Sequence, residues 1–230
     1  MPGTSTNKLE IRFSDGLLTV GDVRQRFVAI PPGTFQRGPT TIVLSQGFWL
    51  ATTPVTQAFW RTLWGQESPG KFRGDTLPVD SVDWFQAVAT CDRLNTALAG
   101  ITAQLPTTFE WEYAARAGGP ADPPADIDAW AWHQATSGGT TQPVGRLRAN
   151  AWGLHDMLGN IWEWCRDRKG AVPEGILMDP EGPVEGLKRA VRGGSWSIPP
   201  QSCRCDHEGG DPPEARLANL GFRLVLRSSG

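Results

Sequence analysis

Ala190-Val191-Arg192-Gly193-Gly194-Ser195-Trp196 and Asn219-Leu220-Gly221-Phe222-Arg223-Leu224-Val225-Leu226 bracket a stretch, Ser197 to Ala218, that has no periodicity of either kind. In the second piece Leu220, Phe222, Leu224 and Leu226 alternate with Gly221, Arg223, Val225 and Arg227, the period-2 pattern of a strand. The first piece predicts a partner strand for it. Pro199, Pro200, Pro212 and Pro213 cannot donate to a ladder or continue a helix. The residues between therefore read as an irregular insert pinned at both ends.

Upstream of this pair the punctuation changes. Phe27-Val28-Ala29-Ile30 runs into Pro31-Pro32-Gly33, and Thr41-Ile42-Val43-Leu44 precedes Gly47-Phe48-Trp49-Leu50, which read as strands broken by turns. Thr53-Pro54 predicts a cap and a first helical proline for a helix to about Trp64, with Val55, Phe59 and Leu63 on one face. A longer helix is predicted from near Ser81, with Trp84, Val88, Cys91 and Leu98 at helical spacing and Gly100 closing it. Thr107-x-x-Glu110 is a capping box that opens a third, ending at Gly118. From Gly118 onward helix signals nearly vanish while Gly, Pro and Trp become frequent. The reading is an α+β fold, loop-rich, with antiparallel strands and two to three helices. Residues 1–26 are expected to form an N-terminal arm or edge hairpin, and residues 27–230 a single domain.

Composition narrows the function classes. The chain has 230 residues and a net charge of -2, so it lacks the excess of Lys and Arg that nucleic-acid coating requires, and no nucleic-acid partner is expected. No apolar run of about 18 residues occurs, which excludes a helical membrane span. Asp, Glu, Lys and Arg fall within the first thirty residues without an apolar signal core, making the cytoplasm the default compartment, with export by another route left open. Four cysteines, Cys91, Cys165, Cys203 and Cys205, are too few for a disulfide scaffold, and no His cluster accompanies them. Zinc is not expected. The 22 basic residues divide into 4 Lys and 18 Arg, a skew that GC-rich coding or a hot habitat explains as well as function does.

The order of signals resembles the formylglycine-generating, sulfatase-modifying family, whose fold is an elaborated C-type lectin fold. The matching pieces are Phe27 to Phe35, Pro54-Val55-Thr56-Gln57-x-x-Trp60, Leu77-Pro78-Val79-x-x-Val82-x-Trp84 and Leu105-Pro106-Thr107-x-x-Glu110-Trp111-Glu112-Tyr113. They continue with Asn150-Ala151-Trp152-Gly153-Leu154, Gly159-Asn160-x-Trp162-Glu163-Trp164, Arg192-Gly193-Gly194-Ser195-Trp196 and Asn219-Leu220-Gly221-Phe222-Arg223. In the family's oxidases a pair of reactive cysteines after Gly-Gly-Ser-aromatic serves copper and oxygen chemistry. Here Ser197 and Ile198 occupy the place of the first cysteine, and only Cys203 and Cys205 fall in the right region. The sulfoxide synthases that share the fold join it to an iron-binding helical domain rich in histidine, whereas this chain has only His133, His155 and His207, none in a His-x-x-x-His pair.

The bracketed stretch is similar to the variable proteins of diversity-generating retroelements, in which adenines of asparagine codons are rewritten. Pro200, Cys203, Arg204, Pro213, Arg216 and Asn219 stand at that pattern's fixed letters. Its asparagine places hold Ser197, Ile198, Pro199, Ser202, Gly209, Asp211, Pro212, Ala215, Leu217 and Ala218, none of them Asn. None is Lys, Gln, Glu, Met or Trp, which such rewriting cannot produce. The resemblance implies a non-enzymatic ligand-binding protein, with these ten side chains and the neighbouring Asp206, His207 and Glu208 facing solvent toward a protein or other macromolecule. The alternatives are a copper oxidase using Cys203 and Cys205, and an accessory domain that is not diversified.

Asn160 and Glu163 resemble a calcium-binding stretch of this fold, where oxygen ligands suit a hard cation. A turn asparagine and a hydrogen-bonded glutamate read equally well there. No cofactor is required by the sequence; calcium would be structural. The Glu-Pro-Asn and Gln-Pro-Asp triplets of sugar-binding lectins do not occur.

Overall fold

A computed structural model describes residues 9–122 and 124–228. In chain order its elements are β1 (Ile11–Ser14), β2 (Leu17–Val20), β3 (Val23–Ile30), β4 (Gly33–Arg37), β5 (Thr40–Leu44), β6 (Phe48–Ala51), α1 (Gln57–Trp64) and α2 (Trp84–Asn95). There follow β7 (Ile101–Gln104), α3 (Thr108–Arg116), β8 (Ala131–Trp132), β9 (Leu158–Gly159), β10 (Trp162–Arg168) and β11 (Gly175–Met178). The last are β12 (Arg189–Arg192), β13 (Glu208–Asp211), β14 (Leu220–Phe222) and β15 (Val225–Ser228). The largest sheet runs β1-β2-β3-β6-β15-β7; a second runs β13-β12-β10-β14, and a third β11-β5-β4. The β1–β2 hairpin forms the outer edge of the largest sheet, and β3 runs through the expected boundary at residue 26. Residues 1–8 of the expected arm lie outside the described residues.

The helices sit where their caps permit. Helix α1 begins three residues later than Thr53-Pro54 predicts, because Val55 is extended: its N–H bonds Phe222 O (3.0 Å) and its carbonyl accepts from Val79 (2.8 Å). Thr56 takes over as cap, accepting from Phe59 N. Helix α2 cannot begin at Ser81, whose φ is +59°. Asp83 caps it in a box with Gln86. It stops at Asn95, before Gly100, because the Asn95 side chain turns to pair with both backbone groups of Ala103 (2.7 and 3.1 Å). The Thr107–Glu110 box opens α3 where the sequence predicts.

The bracketing strands require a correction. Ala190–Trp196 and Leu220–Leu226 do not pair with each other, since β10 lies between β12 and β14. Nor is 220–226 one strand. It pairs through β14 with β10 in parallel, then through β15 with β6 and β7, so it stitches two sheets together. All seven residues are buried, and Gly221, Arg223 and Val225 face a second packed layer rather than water. Two apolar clusters result: one beneath the large sheet around Phe59, Trp60, Trp164 and Phe222, the other around Phe109, Trp111, Cys203 and Val225.

Candidate functional site

The stretch from Ser197 to Ala218 leaves the interior through Gly193 and Gly194, whose φ values of +95° and +80° lie where side chains are strained. It is less irregular than the sequence predicts. A 3-10 turn covers Pro200–Ser202, and β13 pairs antiparallel with β12, Glu208 opposite Arg192 and Asp211 opposite Arg189. The strand divides the stretch into a first limb, residues 197–207, and a second, residues 212–218.

The first limb is held by side chains. Ile198 packs into the second cluster, close enough that a Cβ on Gly194 would lie 2.5 Å from its Cδ1. Cys203 and Cys205 are buried, and burial pushes both thiols up to about 12. Arg204 forks onto Asp206 (2.8 and 2.9 Å) and reaches Asp122 (2.6 Å). His207 stacks edge-on against Trp162 with centroids 5.2 Å apart, and its Nδ1 lies 2.7 Å from Ser202 O. Beside this limb opens a cavity of about 350 Å³ whose wall includes Trp130, Arg148, Leu154, Met157 and Cys205.

Beneath β13 lies a buried charge network. Glu112 accepts from Arg192 (2.6 Å) and Arg116 (3.0 Å), while Glu208 is bonded to Arg37 and accepts from Thr108 Oγ1 (3.2 Å). Arg192 also donates to Thr108 and to Cys205 O (3.2 Å). Asp167 accepts from Thr108 N (2.7 Å), but its Oδ2 is buried without a partner, and burial raises its carboxyl to about 7.

The second limb is held mainly by its backbone. Pro213 O accepts from Trp84 N (2.9 Å), Leu217 O from Ser81 N (3.0 Å) and Ala218 O from Trp196 Nε1 (3.2 Å). A turn bond joins Ala215 N to Pro212 O (2.9 Å). Its side-chain ties are Arg216 to Asp83 Oδ2 (2.9 and 2.7 Å) and Ala215, which packs against the first cluster. Asp211 and Glu214 have no ion-pair partner among the described residues, so the uncompensated acid of the stretch sits at this end.

The thirteen predicted contact residues thus separate. Pro212 and Leu217 are exposed; Ser197, Pro199, Ser202, Asp206, Asp211, Ala215 and Ala218 are half-buried. Ser197 and Ala218 lie at one junction, where Asn219 Nδ2 bonds Ser197 Oγ (3.1 Å). Four are better described as anchors. Glu208 belongs to the charge network, His207 to Trp162 and Ile198 to the apolar cluster, and a Cβ on Gly209 would meet Val191 Cγ2 at 2.7 Å. Gln201, Glu214 and Arg216 are exposed in the same stretch and were not predicted, since all three stand at fixed letters of the pattern or outside its asparagine places.

Asn160 and Glu163 do not fit a calcium ion. Both oxygens of the Glu163 carboxylate accept from Arg223 (2.8 and 2.9 Å), and Oε2 also accepts from Trp111 Nε1 (2.7 Å). Asn160 Oδ1 accepts from Gln142 N (2.9 Å), while Nδ2 donates to Gln142 O and Asp156. A cation would displace a guanidinium already paired at zero exposure. Among the described residues no three His, Cys, Asp or Glu gather as a metal site.

Residues 19–228 match the sulfatase-modifying factor enzyme 1-like domain. The chain belongs to that family. Within the sulfatase-modifying family it is 32% identical to the mouse formylglycine-generating enzyme over 206 residues, covering 80% of this chain and 52% of that protein. The chain spans about half the length of the curated relatives it matches. Its fold superposes on Treponema denticola variable protein 1 with a TM-score of 0.86 and 27% identity, covering 92% of this chain and 98% of the other. PvdO from Pseudomonas aeruginosa has the same fold at TM-score 0.74 and 23% identity, with 89% and 94% covered. The expected α+β fold, the formylglycine-generating type of C-type lectin fold, is the one observed, and the resemblance to retroelement variable proteins extends to the architecture. Among the described residues no helix is long and apolar enough to cross a membrane.

Proposed function

We propose that this chain is a non-enzymatic binding protein of the retroelement-diversified type, whose recognition surface is the 197–218 stretch on a rigid lectin-like scaffold. One observation carries the reading: none of the ten asparagine places is buried, although Cys203, Cys205 and every residue from Leu220 to Leu226 are. A surface that must change without unfolding its scaffold needs that division, which is weakest at Ile198 and Gly209, where a side chain meets the packed interior. The second limb supplies most of the recognition. Its Pro212 and Leu217 offer apolar contact, and its Glu214, with Asp211 at the adjoining end of β13, unpaired charge, which suits a macromolecule with basic residues around an apolar patch.

The rival is an oxidase. Against it, Ser197 and Ile198 stand at the place of the first cysteine, and Cys203 and Cys205 lie packed within the core. Copper-loaded protein incubated with a cysteine-containing sulfatase peptide should leave the peptide mass unchanged. Turnover that disappears in Cys203→Ser overturns the proposal. Diversification has its own test in the adjacent DNA: an imperfect repeat of the C-terminal codons, differing at adenines and near a reverse-transcriptase gene, is expected. A complete genome without one removes that part and leaves binding standing.

A further inference from the structure

Among the described residues six large apolar side chains are exposed, and four of them fall within twelve residues: Ile176 (76%), Met178 (69%), Val184 (92%) and Leu187 (91%). Ile176 and Met178 lie on β11, which pairs in parallel with β5 on one side and is the edge of its sheet on the other. The pleat fixes them outward, because Leu177 between them packs into the second core cluster. Beside the strand lies an apolar cavity of about 320 Å³, lined by Phe109, Val172, Leu177, Pro180, Pro183 and Val184.

We propose that the β11 edge and residues 176–187 form a twofold interface with a second copy of this chain. A twofold interface joins one patch to itself, so the patch must carry both halves of every contact. This one does. It has an unpaired strand edge that can add its own copy, a protruding Leu187, and an apolar hollow three residues back at Val184 to receive it. In antiparallel self-pairing centred on Leu177, Ile176 of one copy stands opposite Met178 of the other on the same outer face. Glu185 and Lys188 flank Leu187, and neither has an ion-pair partner among the described residues, so the rim offers both signs to its mate. The four side chains present on the order of 100 Å² of apolar surface each, about 800 Å² across two copies. With the strand backbone and rim, that approaches the ~1,000 Å² a specific interface needs. The recognition stretch is not used, so two copies would display two such surfaces.

Sedimentation velocity on the whole chain from about 1 to 200 μM tests this range of affinity. A concentration-dependent dimer is expected, with Ile176→Lys plus Met178→Lys raising its dissociation constant at least about 100-fold while the monomer's melting temperature stays unchanged. Leu217→Lys, on the recognition stretch, should leave the dimer intact. A chain that is monomeric at 200 μM overturns the proposal, as does a patch that instead binds only a different protein. A dimer indifferent to the paired lysines, or one broken by Leu217→Lys, places the interface elsewhere and overturns it too.

Discussion

The two limbs of the 197–218 stretch lie in one surface yet are anchored by opposite means. The first is fastened by what its side chains are: Ile198 and the two cysteines in the core, His207 on Trp162, Arg204 forked onto Asp206. The second is fastened chiefly by carbonyls that any residue would supply, at Pro213, Leu217 and Ala218. Tolerance to substitution should therefore follow the anchoring and not the exposure alone. Half-buried Ile198 and half-buried Ala218 look alike by solvent contact, but only the first has a side chain with a task, Ala218 being held by its carbonyl.

The largest effect should come from the frame both limbs share. Arg223→Met leaves the Glu163 carboxylate buried without its cation and should cost about 3–5 kcal/mol in denaturant unfolding, with Glu163→Gln in the same chain recovering part of it. Phe222→Ala, emptying a fully buried aromatic volume, should cost about 3–5 kcal/mol. Trp196→Ala should cost less, because Trp196 is half-buried and leans edge-on against Phe72 rather than filling the core. Equal losses for the two aromatics would contradict that placement.

Asp167 sharpens the comparison by pH. Its folded pKa of about 7 lies above the unfolded value of about 3.9, so the folded state holds the extra proton and stability falls as pH rises from about 4 to 7. Asp167→Asn keeps an acceptor for Thr108 N and should flatten that fall, read as melting temperature against pH. A slope unchanged by the substitution places the titration elsewhere.

Within the stretch, Ile198→Asn puts an amide against the apolar cluster and should cost about 1–3 kcal/mol, and Gly209→Ala, which drives a methyl into Val191, a comparable amount. Pro212→Asn together with Leu217→Asn should change stability by no more than about 0.5 kcal/mol per site. Thermal unfolding of these three chains decides the matter. If the second-limb pair melts as low as Ile198→Asn, the limbs do not differ and the recognition surface is misassigned.

Much of the frame was legible in the sequence because its signals are local. Capping places α3 from Thr107 and Glu110 alone, and the ordered motifs from Phe27 to Arg223 carry the family. What escaped depends on distant pairs. Arg223 alternates with leucines and so reads as solvent-facing; only Glu163, sixty residues earlier on a neighbouring strand, makes its burial tolerable. The same alternation hides the insertion of β10 between the bracketing strands. Glu208 and His207 read as surface residues because Arg37 and Trp162, which hold them, belong to other parts of the chain. Ser81 and Thr56 moved two helix starts because tertiary backbone bonds competed with local caps.

The carbonyl bonds of the second limb have one more consequence. Trp84 and Ser81 grip main-chain oxygens four residues apart, at Pro213 and Leu217, and the Pro212–Ala215 turn fills the interval. A different side chain leaves that spacing intact, whereas an inserted or deleted residue throws one grip out of step. Such a limb can take many spellings at one fixed word length: substitutions should change its chemistry while the loop outline stays the same.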